Sequence, residues 1–180
     1  MLKPRPLSRP RFFDGRLLTA EDLTQEQDYV IGKLKRHNRS LHGFGVVSGL
    51  RVTLLTGKIL VEAGLALDCE GNEIAIEAPQ TLAPLSTGDA RISYVNIRYA
   101  EDLSNPLPDM HGEGDAGSQC ATISEGFEVS LGLENFTRGH RHLRARWLTC
   151  GQPHPLTIAK LSRSLHGWRV SRRYRAPSVK

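Results

Sequence analysis

The spacing of apolar residues divides the chain into regions of different period. Residues 1–18 show no period: Pro4, Pro6 and Pro10 alternate with Lys and Arg. Proline lacks the amide a helix needs and favours extended backbone, so this stretch reads as an arm. Phe12 and Phe13 close the arm with two rings that need a place to bury, and Asp14-Gly15 signals a turn. Next, Leu23, Val30, Leu34 and Leu41 recur at sevens and fours, one face of a helix, with Gln27 and His37 or Asn38 between them. Thr19-Ala20-Glu21-Asp22 resembles a capping box and places acids where the helix dipole favours them. The helical segment is set at 19–42, with the helix itself from about 20 to about 41. Its narrow, partly polar stripe can pack on the chain's own sheet or on another subunit, and most such stripes are local core.

After Gly43, Gly45 and Gly49 the period drops to two. Val46, Val47, Leu50, Val52 and Leu54 predict a strand, with Thr56-Gly57 as a hairpin turn. Lys58 to Ala63 returns, Gly64 to Asp68 continues it past a kink, and Asn72 to Glu77 follows the Glu70-Gly71 turn, so 44–78 reads as a compact meander. Further strands are predicted at Arg91–Tyr99, Phe127–Leu133, Pro155–Leu161 and Trp168–Val170. Between Glu101 and Gln119 the chain carries Pro106, Pro108, three glycines and five acids, which reads as an acidic loop at 101–119. The fold class is α+β, mainly β: an extended N-terminal arm (1–18), one long N-terminal helix (19–42), an antiparallel β-sandwich or barrel-like domain (43–171) and a basic tail (172–180).

Charge adds an asymmetry to this picture. From Phe136 onward there are 11 of the 24 Lys and Arg and none of the 19 acids, leaving a net −6 on residues 1–135. Such a split suggests a surface that meets an acidic partner, either nucleic acid or an acidic protein subunit. Trp147, Trp168 and Tyr174 are interleaved with the basic residues, as in nucleic-acid-binding segments, but strand context favours a core role for the two Trp. No apolar run is long enough to span a membrane and no secretory signal is visible, so synthesis in the cytoplasm is expected.

Candidate chemistry is sparse. Gly43-x-Gly45-x-x-x-Gly49 has a helix before it and a strand after it, the reverse of a dinucleotide loop, and is better explained as a helix cap and corner. Cys150-x-x-x-His154 is one possible metal-binding pair, with Cys69, Cys120, His140 or His142 as distant completers. Structural zinc usually announces itself by two close pairs, so the reading is no metal, no cofactor and isolated buried cysteines. Three widely spaced cysteines do not make a disulfide framework. Asp68 and Glu70 flank Cys69 in a turn, where carboxylates are usually solvated. No nucleophile elbow and no His-Glu-x-x-His occurs, so no enzyme is expected and no catalytic residue is assigned.

One resemblance bears on function. Phe12-Phe13-Asp14-Gly15-Arg16-Leu17-Leu18-Thr19-Ala20-Glu21-Asp22-Leu23, followed by Glu26-Gln27-Asp28-Tyr29 and by His37 through Leu50, resembles a poorly characterised baseplate- or spike-associated family of phage-tail-like contractile injection systems. Gly45 to Glu73 is also similar to a small β-unit of phage baseplate and tail-fibre proteins. The resemblance implies a structural part of a contractile particle, present in several copies with three- or six-fold symmetry beside other baseplate, spike, tube or sheath subunits. The expected interface residues are Pro4, Pro6, Pro10, Phe12, Phe13, Leu23, Val30, Leu34, Leu41, Arg172, Arg173 and Arg175. The alternative is a nucleic-acid-binding module that uses the basic C-terminal third.

Overall fold

A computed structural model describes residues 7–83, 90–108, 118–137, 150 and 154–179. Helix α1 spans Ala20–His37 and runs into a single π turn, Asn38–His42. The capping box forms: the Thr19 hydroxyl accepts from the Asp22 amide at 3.2 Å, and the Asp22 carboxylate accepts from the Thr19 amide at 3.3 Å. Gly43, at φ 81°, ends the π turn, and its N–H donates to the Asn38 carbonyl at 3.1 Å.

Among the described residues ten strands follow: β1 (Gly45–Gly49), β2 (Val52–Leu55), β3 (Lys58–Val61), β4 (Gly64–Leu67), β5 (Glu73–Ile76), β6 (Gln80–Leu82), β7 (Ile92–Pro108), β8 (Ser118–Gly132), β9 (Leu156–Ser164) and β10 (Gly167–Val170). They form three sheets, ordered β1-β4-β5, β2-β3-β6 and β10-β9-β7-β8. Every pairing of these strands is antiparallel. The mainly-β class with one long helix is therefore the observed one.

The region 44–78 is not a simple meander. β2 and β3 make the hairpin at Thr56-Gly57, but β1 pairs with β4, so 45–55 and 58–67 form one long ribbon folded across two sheets. The fold falls where Gly49 pairs with Gly64, and the ladder continues through Leu50 N–H to Ala63 O at 3.2 Å and Glu62 N–H to Arg51 O at 2.9 Å. A Cβ on either glycine would collide with the opposite backbone, which is why the crossing needs a Gly pair.

The core lies between the two small sheets and the four-stranded one. Ile59, Val61, Ala66, Ile74 and Ile76 meet Val95, Ile97, Leu156, Ile158 and Leu161. In β3 and β5 the buried residues alternate with exposed or half-buried ones, whereas β9, central in its sheet, is buried on both faces from Leu156 to Ala159. Two polar groups in this core satisfy each other: the Thr157 hydroxyl donates to Asn96 Oδ1 at 2.7 Å.

The expected loop at 101–119 is instead strand over 101–108 and 118–119, with 109–117 outside the described residues. β7 and β8 remain paired from Tyr94↔Gly132 to Pro108↔Ser118, well past the end of β9, and so form a projecting two-stranded ribbon. The basic tail is not free either. Ser178 bridges Val46 in parallel, Val46 N–H donates to Pro177 O at 2.8 Å, and Val179 N–H donates to Val46 O at 3.1 Å. Tyr174 is anchored by its hydroxyl, which donates to Thr157 O at 3.0 Å.

Candidate assembly interface

Helix α1 has no buried residue. Its attachment to the β body is at its C-terminal end: Asn38, itself buried, donates from Nδ2 to Gly71 O at 3.1 Å, and Arg39 donates to Glu70 O at 3.2 Å. Lys35 lies over the Tyr99 ring at 5.8 Å. The arm folds back along one flank of the helix. Leu7 abuts Gly32, Arg9 lies over the Tyr29 ring at 5.4 Å, and Gln25 donates to the Ser8 hydroxyl at 3.3 Å. The arm is closed at its far end by an Arg16–Asp22 ion pair.

That flank is not the apolar stripe. Leu23, Val30, Leu34 and Leu41 are 51–57% exposed, and Ile31 is 44% exposed. Phe12 and Phe13 are also exposed, Phe13 at 65%, as are Leu17 and Leu18. Of the expected interface residues, the structure thus places Phe12, Phe13, Leu23, Val30, Leu34 and Leu41 on the arm and helix, each about half exposed or more. Pro10 is half-buried, and Pro4 and Pro6 lie outside the described residues. Arg172, Arg173 and Arg175 are exposed on the segment after β10, and Arg175 donates to Arg172 O at 2.8 Å. Large apolar residues scattered singly on a surface are ordinary, whereas a run of them along one element marks a site of association.

A second apolar surface was not legible in the sequence. The projecting ribbon exposes Leu103, Leu107 and Ile123. No periodic pattern announces them, because the ribbon has no buried face against which to alternate. On its root, Arg98 and Glu128 form a bidentate cross-strand pair at 2.8 and 2.9 Å, which holds the Glu128 carboxyl below its ordinary value. The Tyr99 hydroxyl is pushed up, first by burial and then by its 2.8 Å hydrogen bond to Glu101.

The cysteines do not share one environment. Cys69 is buried, Cys120 exposed and Cys150 half-buried. The fold brings Cys69 to Cys150 and His154, with the ligand atoms of all three within 4.8 Å of one another. Asp68 beside Cys69 is not solvated, contrary to the sequence reading: it is 1% exposed and accepts three hydrogen bonds inside its own turn. His140, His142 and Trp147 lie outside the described residues. Trp168 packs part-buried against the core.

No family model matches the sequence, and no curated protein matches it. Solved structures do match the fold. The chain is similar to one in the TssK-TssF-TssG baseplate subcomplex of the type VI secretion system, with a TM-score of 0.58 at 14% identity over 96% of this chain and 62% of that one. It is similar to one in the type VI secretion baseplate complex, with a TM-score of 0.53 at 13% identity over 96% of this chain and 60% of that one. It is also similar to crystalline TssK, with a TM-score of 0.52 at 14% identity over 92% of this chain and 41% of that one. At this identity the likeness is one of fold, and the chain spans less than two thirds of each of these proteins. The fold is one used by baseplate proteins of the type VI secretion system. Among the described residues no helix is long and apolar enough to cross a membrane.

Proposed function

We propose that this chain is a structural baseplate or tail-tip component of a phage-tail-like contractile injection system, held in its assembly through the arm and helix. The observation that carries the proposal is the exposed stripe of α1: Leu23, Val30, Leu34 and Leu41 are each about half exposed on a helix with no fully buried residue. Covering the exposed half of such a side chain contributes about 1 kcal/mol, so four together contribute about 4 kcal/mol towards association. The baseplate fold supports the same reading. The partners would be further copies of this chain, in a three- or six-fold arrangement, and neighbouring baseplate, spike, tube or sheath subunits.

The test is the particle mass in solution of the full chain, alone and co-expressed with the other subunits of a baseplate. Multimers or heteromeric complexes are expected. The triple variant Leu23→Glu, Val30→Glu, Leu34→Glu should keep the circular-dichroism spectrum of the parent and lose association by at least about 100-fold. A monomer under both conditions, or an unaffected triple variant, would sink the proposal. Salt-dependent retention on DNA or RNA by a chain that stays monomeric would favour the nucleic-acid alternative through Arg172, Arg173 and Arg175.

A further inference from the structure

Away from the helix face, one group of side chains has the composition of a metal site and a scaffold built to hold it. The β4–β5 turn presents Cys69. Asp68 organises that turn: its carboxylate accepts from the N–H groups of Glu70 and Asn72, both at 2.9 Å, and from Asn72 Nδ2 at 2.6 Å. The backbone closes it further, with Asp68 N–H to Asn72 O at 3.0 Å and Gly71 N–H to Asp68 O at 3.2 Å. From outside, Asn38 and Arg39 grip the carbonyls of Gly71 and Glu70. Cys69, 4% exposed, is therefore fixed in position before any ligand arrives.

Cys150 and His154 precede β9 in the chain, and His154 lies two residues before the buried Leu156 that begins it. All three ligand atoms lie within 4.8 Å of one another. The edges of a tetrahedral zinc site with thiolate ligands measure about 3.8 Å, so small side-chain rotations suffice to close it.

We propose that Cys69, Cys150 and His154 bind a zinc ion that ties the β4–β5 turn to the root of β9. The donor set selects the metal. Two sulfurs and an imidazole suit zinc, whereas calcium and magnesium require oxygen ligands. Among the described residues three ligands converge. Thiolate is the form that ligates, so binding exchanges two thiol protons for Zn2+ and affinity rises with pH.

The experiment uses the full chain, purified with reductant and chelator and then titrated with cobalt(II) and with zinc(II). One equivalent of metal per chain is expected, with a cobalt–thiolate charge-transfer band that zinc abolishes and release of about two protons. Cys69→Ser and Cys150→Ser should each remove roughly half of the charge-transfer intensity and weaken zinc binding by more than about 10-fold. Cys120→Ser should change neither. If Cys69→Ser fails to fold, the half-buried Cys150→Ser carries the test alone. Absence of a charge-transfer band in the reduced chain overturns the proposal, as does a band of undiminished intensity in Cys150→Ser. A Cys69–Cys150 disulfide in the isolated protein, with no metal uptake after reduction, overturns it equally and makes the pair a redox bridge.

Discussion

Asp68 illustrates how one side chain sets a local structure. A solvated turn carboxylate contributes little, but this one is 1% exposed and satisfies three donors, two of them on buried Asn72. Each orphaned buried donor costs about 1–3 kcal/mol, so Asp68→Ala should lower unfolding free energy by about 3 kcal/mol, measured as a reduced urea midpoint with an unchanged slope. A loss below about 0.5 kcal/mol would show that the turn holds without it. Leu50, at φ 56° and 4% exposed, makes the complementary point. A non-glycine residue in the left-handed region costs about 1 kcal/mol, which the burial of its side chain at the ribbon's corner offsets.

At the scale of elements, α1 and the β7–β8 ribbon share a property: each is formed by local hydrogen bonds and neither lends its outer surface to the core. The helix is legible in the sequence because its capping box and its spacing are local signals, and both appear as read. The ribbon beyond Tyr99 is not legible, because Asn105-Pro106, Pro108 and the acids suit a loop, and only pairing with β8 makes it strand. Proline is tolerated there because the outer part of β7 has β8 on one side alone. Replacing residues 103–123 by an Asn-Gly turn, which joins the Asp102↔Ser124 pair, should leave stability within about 0.5 kcal/mol of the parent. A large drop in the melting temperature would mean that the ribbon supports the body.

Over the whole molecule, the two ends of the chain behave differently. The arm lies on the helix, whereas the C-terminal segment completes the β body beside β1. Deleting residues 1–14 should therefore spare the stability of the body and reduce association. Deleting 176–180 removes the two main-chain hydrogen bonds to Val46 and uncovers the β1 edge, and should lower stability by about 1–3 kcal/mol. Denaturant titration and particle mass, measured on both truncations, separate the two roles. Equal effects of both deletions on both quantities would refute the division.

Elements whose signals are local were legible in the chain alone. These are the capped helix, the hairpin at Thr56-Gly57, the strands of the core and the sparseness of recognisable catalytic motifs. Tertiary structure decided what depends on distant partners. The ribbon of 45–67 switches sheets at Gly49 and Gly64 because β4 pairs with β1, and β6 covers the other side of β3. Cys69 meets Cys150 and His154 because the β4–β5 turn lies against the root of β9. Whether the stripe of α1 is core or surface was also undecided by its period. A seven-and-four spacing specifies a face, and only the placement of the sheets determines whether anything in the same chain covers it.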